Sequence, residues 1–276
     1  MNIKDDFIDN LSENIFDLVN KFKEKSKEKP KPVITPRKGK TMKVDAVLRR
    51  TICFWSPFSA GSTSCSIQFA RAIKRQFNAK VALVEFDMLH PSLDKYYKGE
   101  VGGLREILRS DKQDRVTFES IQNAACQDDM GFDVYKSYFN YVDLYHLSIE
   151  KVERILTMIS GMYDFVIIDT NRSFENKLTH LAMEKSNQII IPTYANLNDI
   201  NLINQYLDFF EENQDWSVLK CSVLINRYQP NDPVFAEIES SLKAEVIGYL
   251  KDNKNFFNSK PSIKEFERMA MKEVRR

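Results

Sequence analysis

Long apolar runs are missing from this chain: no stretch approaches 18 consecutive apolar residues, which excludes a membrane-spanning helix. The first twenty residues carry five acids and one lysine ahead of any apolar run, unlike a secretory leader. Cysteine and histidine are scarce. Cys53, Cys65, Cys126 and Cys221 lie far apart without CxxC spacing, and His90, His146 and His180 complete no familiar zinc pattern with them. A reduced, cytoplasmic protein without disulfides or a structural metal is the expectation. What is present is a composition suited to a full core. Hydrophobic residues make up 43% and charged residues 29% of the 276 positions, as in soluble globular chains. That length suits one α/β domain of about 220–230 residues with a short extension.

The net charge of +1 hides an uneven distribution. Residues 21–50 hold twelve basic residues against three acids, a local +9 that leaves −8 on the rest of the chain. Within this stretch, KFKEKSKEKPKPVITPRKGKTMK also carries three prolines, so like-charge crowding and proline both oppose a packed element. Residues 23–50 are read as a basic flexible linker, serving either as a solubilising spacer or as a non-specific contact to DNA or an anionic surface. Ahead of it, residues 1–22 form an amphipathic helix in which Phe7, Leu11, Ile15, Leu18 and Phe22 recur at helical spacing. Asp5, Asp6, Asp9, Glu13 and Asp17 occupy the other face. That stripe must be buried on the chain's own body, on a partner protein or on a second copy. An acidic polar face disfavours a membrane surface.

From residue 51 to 276 short β-branched runs alternate with helical stretches. The pattern predicts strands at 51–56, 80–86, 141–147, 164–169, 187–192, 220–226 and 245–249. It predicts helices near 63–77, 103–110, 149–161, 175–186, 197–212, 233–243 and 262–274. VALVEF, FVIID, QIIIP and SVLIN are apolar on both faces, as a sheet covered by helices on both sides requires. The expected fold is therefore α/β, a doubly wound, mainly parallel sheet with helices on both faces. Residues 111–140 are weakly patterned and read as loops with a short helix.

In such a sheet ligands bind beyond the carboxyl ends of the strands. Three places qualify: the small-residue loop SPFSAGSTSCSIQFARAI after the first strand, Glu85 and Asp87 flanking Phe86 after the second, and Asp169 ending FVIID. An apolar strand ending in Asp beside a strand–loop–helix with Ser/Thr at the helix start is the layout of a P-loop nucleotide site.

Residues 51–265, about four-fifths of the chain, resemble the ParA/MinD family of deviant Walker P-loop ATPases, bacterial partition and positioning proteins that include the TadZ/CpaE group. VALVEFDMLHPSLDKYY is similar to the family run VLLIDADLRxPSLxxxL, YDFVIIDT to its Walker B strand, and VLINRY to a strand ending in an adenine-contacting Asn. The stretch leading to GGLREIL and the final IGYLKDN follow the family order. The resemblance implies ATP or ADP with Mg²⁺ held by Ser59, Ala60, Gly61, Ser62, Thr63 and Ser64, with Asn226 on adenine. Thr63 and Asp169 would attend the metal and Asp87 would activate water. It also implies a homodimer.

The phosphate loop departs from the family pattern KGGxGKT[ST]. Aligned on Gly61, this chain reads Pro57-Phe58-Ser59-Ala60-Gly61-Ser62-Thr63-Ser64. Both lysines are replaced, by Pro57 and Ser62, and one of three glycines remains. A hydrogen bond to a charged group contributes roughly 1.5–3 kcal/mol, so losing two weakens triphosphate binding by about a hundred- to ten-thousandfold. Transition-state charge would suffer at least as much. Arg172, three residues past Asp169, reads either as a surface cation or as a substitute for the lost charge. A dimerising pseudo-ATPase that organises a partner complex is the leading expectation, and an active partition ATPase that binds DNA is the alternative. A bacterial tyrosine-kinase relative is disfavoured because the chain ends MAMKEVRR rather than in a tyrosine cluster.

Overall fold

Alternation within the strands builds two separate apolar layers. In β1 (Arg50–Phe54), Ile52 and Phe54 join one buried cluster and Cys53 the other. In β2 (Val81–Glu85) and β5 (Phe165–Asp169), Val81, Leu83, Phe165 and Ile167 go one way, and Ala82, Val84, Val166 and Ile168 the other. This period of two places successive side chains on opposite sheet faces, so a strand buried on both must be apolar throughout. β6 (Gln188–Tyr194) and β7 (Cys221–Tyr228) behave the same way through Ile189, Ile190, Ile191, Val223 and Leu224.

The computed structural model describes residues 50–77, 79–98, 103–110, 116–137, 145, 147–213, 220–229, 235–252 and 260–274. These fall within one compact unit, Val47–Val274. With β3 (Cys126–Gln127), β4 (Asp133–Tyr135) and β8 (Glu245–Lys251), the eight strands of its sheet run in the order β3-β4-β2-β5-β1-β6-β7-β8, all parallel except the pair β3–β4. One face is covered by α1 (Ser62–Phe77) and α8 (Lys260–Val274), through Phe69, Ile73, Phe266 and Met269. The opposite cluster is built with α2 (Gly103–Ser110), α3 (Phe118–Asn123), α4 (Ile149–Met162), α5 (Lys177–Lys185), α6 (Leu197–Asn213) and α7 (Phe235–Ser241). The last strand, β8 (Glu245–Lys251), packs under α8. This is the predicted doubly wound fold.

Three details correct the sequence reading. Residues 111–140 do more than loop: after α3 they supply β3 (Cys126–Gln127) and β4 (Asp133–Tyr135), turned at Gly131 with φ 77°. β4 then pairs parallel with β2. The strand expected at 141–147 is not seen in the residues of that range that are described: Tyr145 is helical and 86% exposed, and Leu147 has no regular structure. The pairing edge is the shorter run that buries Phe132, Val134 and Tyr135. Arg50, assigned to the linker by its charge, opens β1. The N-terminal helix and residues 23–49 of the linker lie outside the described residues. Among those described, no helix is long and apolar enough to cross a membrane.

All four cysteines are free thiols. Burial pushes the thiols of Cys53 and Cys65 up, and that of Cys221 up to about 12, so they remain neutral core residues.

Candidate functional site

Sheet register brings the predicted carboxylates together. Asp169 at the end of β5 lies opposite Phe54 of β1 on one side and Glu85 of β2 on the other. The β1–α1 loop begins at Trp55, whose N–H donates to Ile190 O at 3.1 Å, and ends at Gly61, whose carbonyl accepts from Cys65 N at 2.9 Å. Thr63 stands in the first turn of α1, its hydroxyl 3.0 Å from that of Ser92. First-turn N–H groups of a helix have no intrahelical acceptor and carry the positive end of its dipole, so Ser62, Thr63 and Ser64 begin a cradle for anions.

Asp169 is the anomaly. It is 1% exposed, and neither carboxylate oxygen has a hydrogen-bond partner. Burial drives its carboxyl well above the usual carboxylate range. The nearby Thr63 hydroxyl offsets this, though not from a hydrogen-bonding position, and the charges of Glu85 and Asp87 reinforce it. Native proteins rarely leave such a group unsatisfied. Two unpartnered carboxylate oxygens beside a hydroxyl suit a hard, oxygen-seeking divalent cation such as Mg²⁺. Among the described residues no group of three or more His, Cys, Asp or Glu side chains is arranged for a metal. Asp169 and Thr63 would therefore hold the ion with water and ligand oxygens, as Mg²⁺ usually prefers.

The other two carboxylates hold loops in place. Fully buried Glu85 accepts from Ser92 N at 2.5 Å, Leu93 N at 2.9 Å and Ser137 N at 2.9 Å. Burial raises its carboxyl, against the pull of these N–H groups. Through Ser92 it also fixes the hydroxyl that meets Thr63. Oδ1 of half-buried Asp87 accepts from Asn171 Nδ2 at 2.7 Å and from the backbone of Leu89 and His90. Asp87 is thus tied to the segment following Asp169.

Side chains from distant strands grip the loop itself. Asn226, at the carboxyl end of β7, donates from Nδ2 to Ala60 O at 2.7 Å, and its Oδ1 accepts from Arg227 N. Both ends of the amide that the resemblance assigned to adenine are engaged here. Gly61 takes φ 85°, a conformation that favours glycine, and a Cβ there would crowd Asn226 Nδ2 at 3.1 Å. Tyr194 at the end of β6 donates to Ser59 O at 2.6 Å, and Arg172 Nη1 donates to Ser59 Oγ at 2.9 Å. Phe58, within the loop, is half-buried and packs against the core cluster built with α2 to α7. Arg172 therefore reaches the loop from an exposed position. Tyr194, Ser92 and Asn171 were not foreseen, although all three lie on or just past the carboxyl ends of strands, where such residues should be sought.

Solved structures with this architecture include a ParA family ATPase from Chlorobium tepidum TLS, with TM-score 0.72 and 16% identity over 81% of this chain and 99% of that one. The fold is that of the ParA/MinD P-loop ATPases. A putative plasmid partition protein from Borrelia burgdorferi B31 bound to AMPPNP aligns at TM-score 0.64 and 21% identity, covering 82% of this chain and 98% of that one. MinD from Pyrococcus horikoshii OT3 complexed with Mg-ADP aligns at 0.63 and 14%, covering 82% and 95%. No family model and no curated protein matches the sequence. Within this ParA/MinD frame the grip of Asn226 on the loop is open to a direct check. Asn226→Ala leaves Ala60 O without that donor, and the expected cost is about 1–2 kcal/mol. A lower melting temperature together with faster amide exchange in residues 58–62 is the expected result.

Proposed function

We propose that this protein is a ParA/MinD-type organiser that binds a magnesium nucleotide weakly, hydrolyses it little or not at all, and works by dimerising and positioning a partner complex. The observation that carries this reading is the orphaned Asp169 carboxylate facing Thr63 across a loop that has Pro57 and Ser62 where the family pattern has lysines. The cation side of a nucleotide site is thus provided for while the phosphate side lacks its usual charge. Phosphoryl transfer depends on electrostatic clamping of the transferred group, so turnover is the property most damaged. Neighbours of the same fold include structures carrying AMPPNP and Mg-ADP and a MinC:MinD cell division complex from Aquifex aeolicus, which support nucleotide and protein ligands for this one.

The test is calorimetry of the purified chain with ATP and ADP in Mg²⁺, phosphate release, and solution mass with and without nucleotide. Weak binding, a dimer and no turnover above background are expected. Brisk phosphate release abolished by Asp87→Ala would overturn the reading. The basic stretch 23–50 favours a second one, an active partition ATPase that also contacts DNA. That alternative requires salt-dependent DNA binding, lost on deleting the stretch, together with turnover.

A further inference from the structure

We infer that Arg172 supplies the positive charge that grips the phosphates of the magnesium nucleotide proposed for this site. This rests on the nucleotide-binding reading above and names the residue and ligand chemistry through which it operates. Four observations meet here. Three carboxylates, Glu85, Asp87 and Asp169, stand near one another at or just beyond the strand ends, and the loop beside Asp169 has no lysine. A polyphosphate entering that acidic field needs opposing charge beyond what one divalent cation brings. The guanidinium of Arg172 already lies against the loop, 2.9 Å from Ser59 Oγ, and that bond takes one of its five N–H donors. Its backbone is fixed as well: Arg172 O accepts from the indole N–H of Trp55 at 3.1 Å, and Trp55 is fully buried.

The neighbouring residue completes the support, because Asn171 Nδ2 holds Asp87 at 2.7 Å and Asn171 Oδ1 accepts from Ser173 N at 2.8 Å. The Arg172 carbonyl is therefore held, with its neighbour Asn171 tied on both sides, while its guanidinium remains exposed against the loop. An arginine suits the task because its planar fork engages two phosphate oxygens together, which a single ammonium does less well. Asp169 gives the second, independent sign of a ligand: a buried carboxylate without a partner, directed at the same helix start. Cation contacts then fall to Asp169 and Thr63, and a phosphate contact to Arg172 beside Ser59.

The test is calorimetric titration of the full chain with MgADP and, in parallel, with magnesium pyrophosphate. Arg172→Ala should weaken both by about ten- to a hundredfold, the loss of one charge-assisted contact. Arg172→Lys should recover part of that loss. Thermal melts should be unchanged in both variants, since the substituted side chain is exposed and the carbonyl held by Trp55 remains. Arg75→Ala, which removes a cation paired with Glu267 away from the loop, controls for the general field. Equal affinities in wild type and Arg172→Ala, with Thr63→Ala still weakening binding, would overturn the inference and leave the proposed function standing. An equal loss in Arg75→Ala overturns it too, as does a loss for MgADP without one for pyrophosphate. Wild-type protein that binds neither probe at millimolar concentration also defeats it. Turnover by the wild type, in contrast, would sink the organiser reading alone.

Discussion

Returning lysine to both vacated positions, Pro57→Lys with Ser62→Lys, should tighten ATP binding by about a hundred- to ten-thousandfold, the inverse of the loss estimated for two charge-assisted contacts. The scaffold is favourable for this gain. Gly61 already has the left-handed φ of 85°, Thr63 stands at the helix start and Asp169 at the strand end, and Phe58 packs against the core. If Arg172 already contacts phosphate, the gain should fall towards the lower end of the range, because a second and third cation share the same oxygens. Calorimetry of the single and double variants measures it directly. No gain from either lysine would mean that the loop is shut by its clamps rather than short of charge, and the double variant combined with Asn226→Ala separates those cases.

Asp169→Asn should raise the stability of the ligand-free protein at neutral pH, an uncommon outcome for a change at a buried polar residue. Its folded-state pKa lies above the unfolded value of about 3.9. The folded protein therefore holds the proton more tightly than the unfolded chain. The stability this contributes is fully present below the unfolded pKa and is lost as pH rises through the folded one, so the ionised group is a burden above that window. An unpaired buried charge costs several kcal/mol, and an unsatisfied amide in its place costs about 1–3. A net gain of about 2 kcal/mol is expected, equivalent to about 4–8 °C in melting temperature for a domain of this size. Melts between pH 5 and 8 should show the wild type gaining relative to the variant as pH falls. Adding Mg²⁺ with ADP should stabilise the wild type and leave the variant where it was. A variant that melts lower than the wild type at pH 7 would show that Asp169 has a partner in solution.

Much of this fold was legible because its determinants are local. Strands such as FVIID and QIIIP declare burial on both faces by composition, and Asp169 and Thr63 declare themselves by standing at a strand end and a helix start. The β3–β4 pair was not legible, since three residues of β4 are too few to show a period. Nor were the loop's supports. Arg172, Tyr194 and Asn226 reach Ser59, Ser59 and Ala60 across 113, 135 and 166 residues of sequence. Only the order of the strands brings them together. Asn226 stands at the strand end where the resemblance placed it, and its amide is directed at the loop.

Those three supports have a consequence for the energetics of capture. A loop that must order itself around a ligand loses that ordering cost from its affinity. Here Ala60 O, Ser59 O and Ser59 Oγ are already fastened by neighbouring strands and by the segment after β5. The mould is cast before anything enters it, so a guest of this loop would meet most of the entropic penalty of closure already covered during folding.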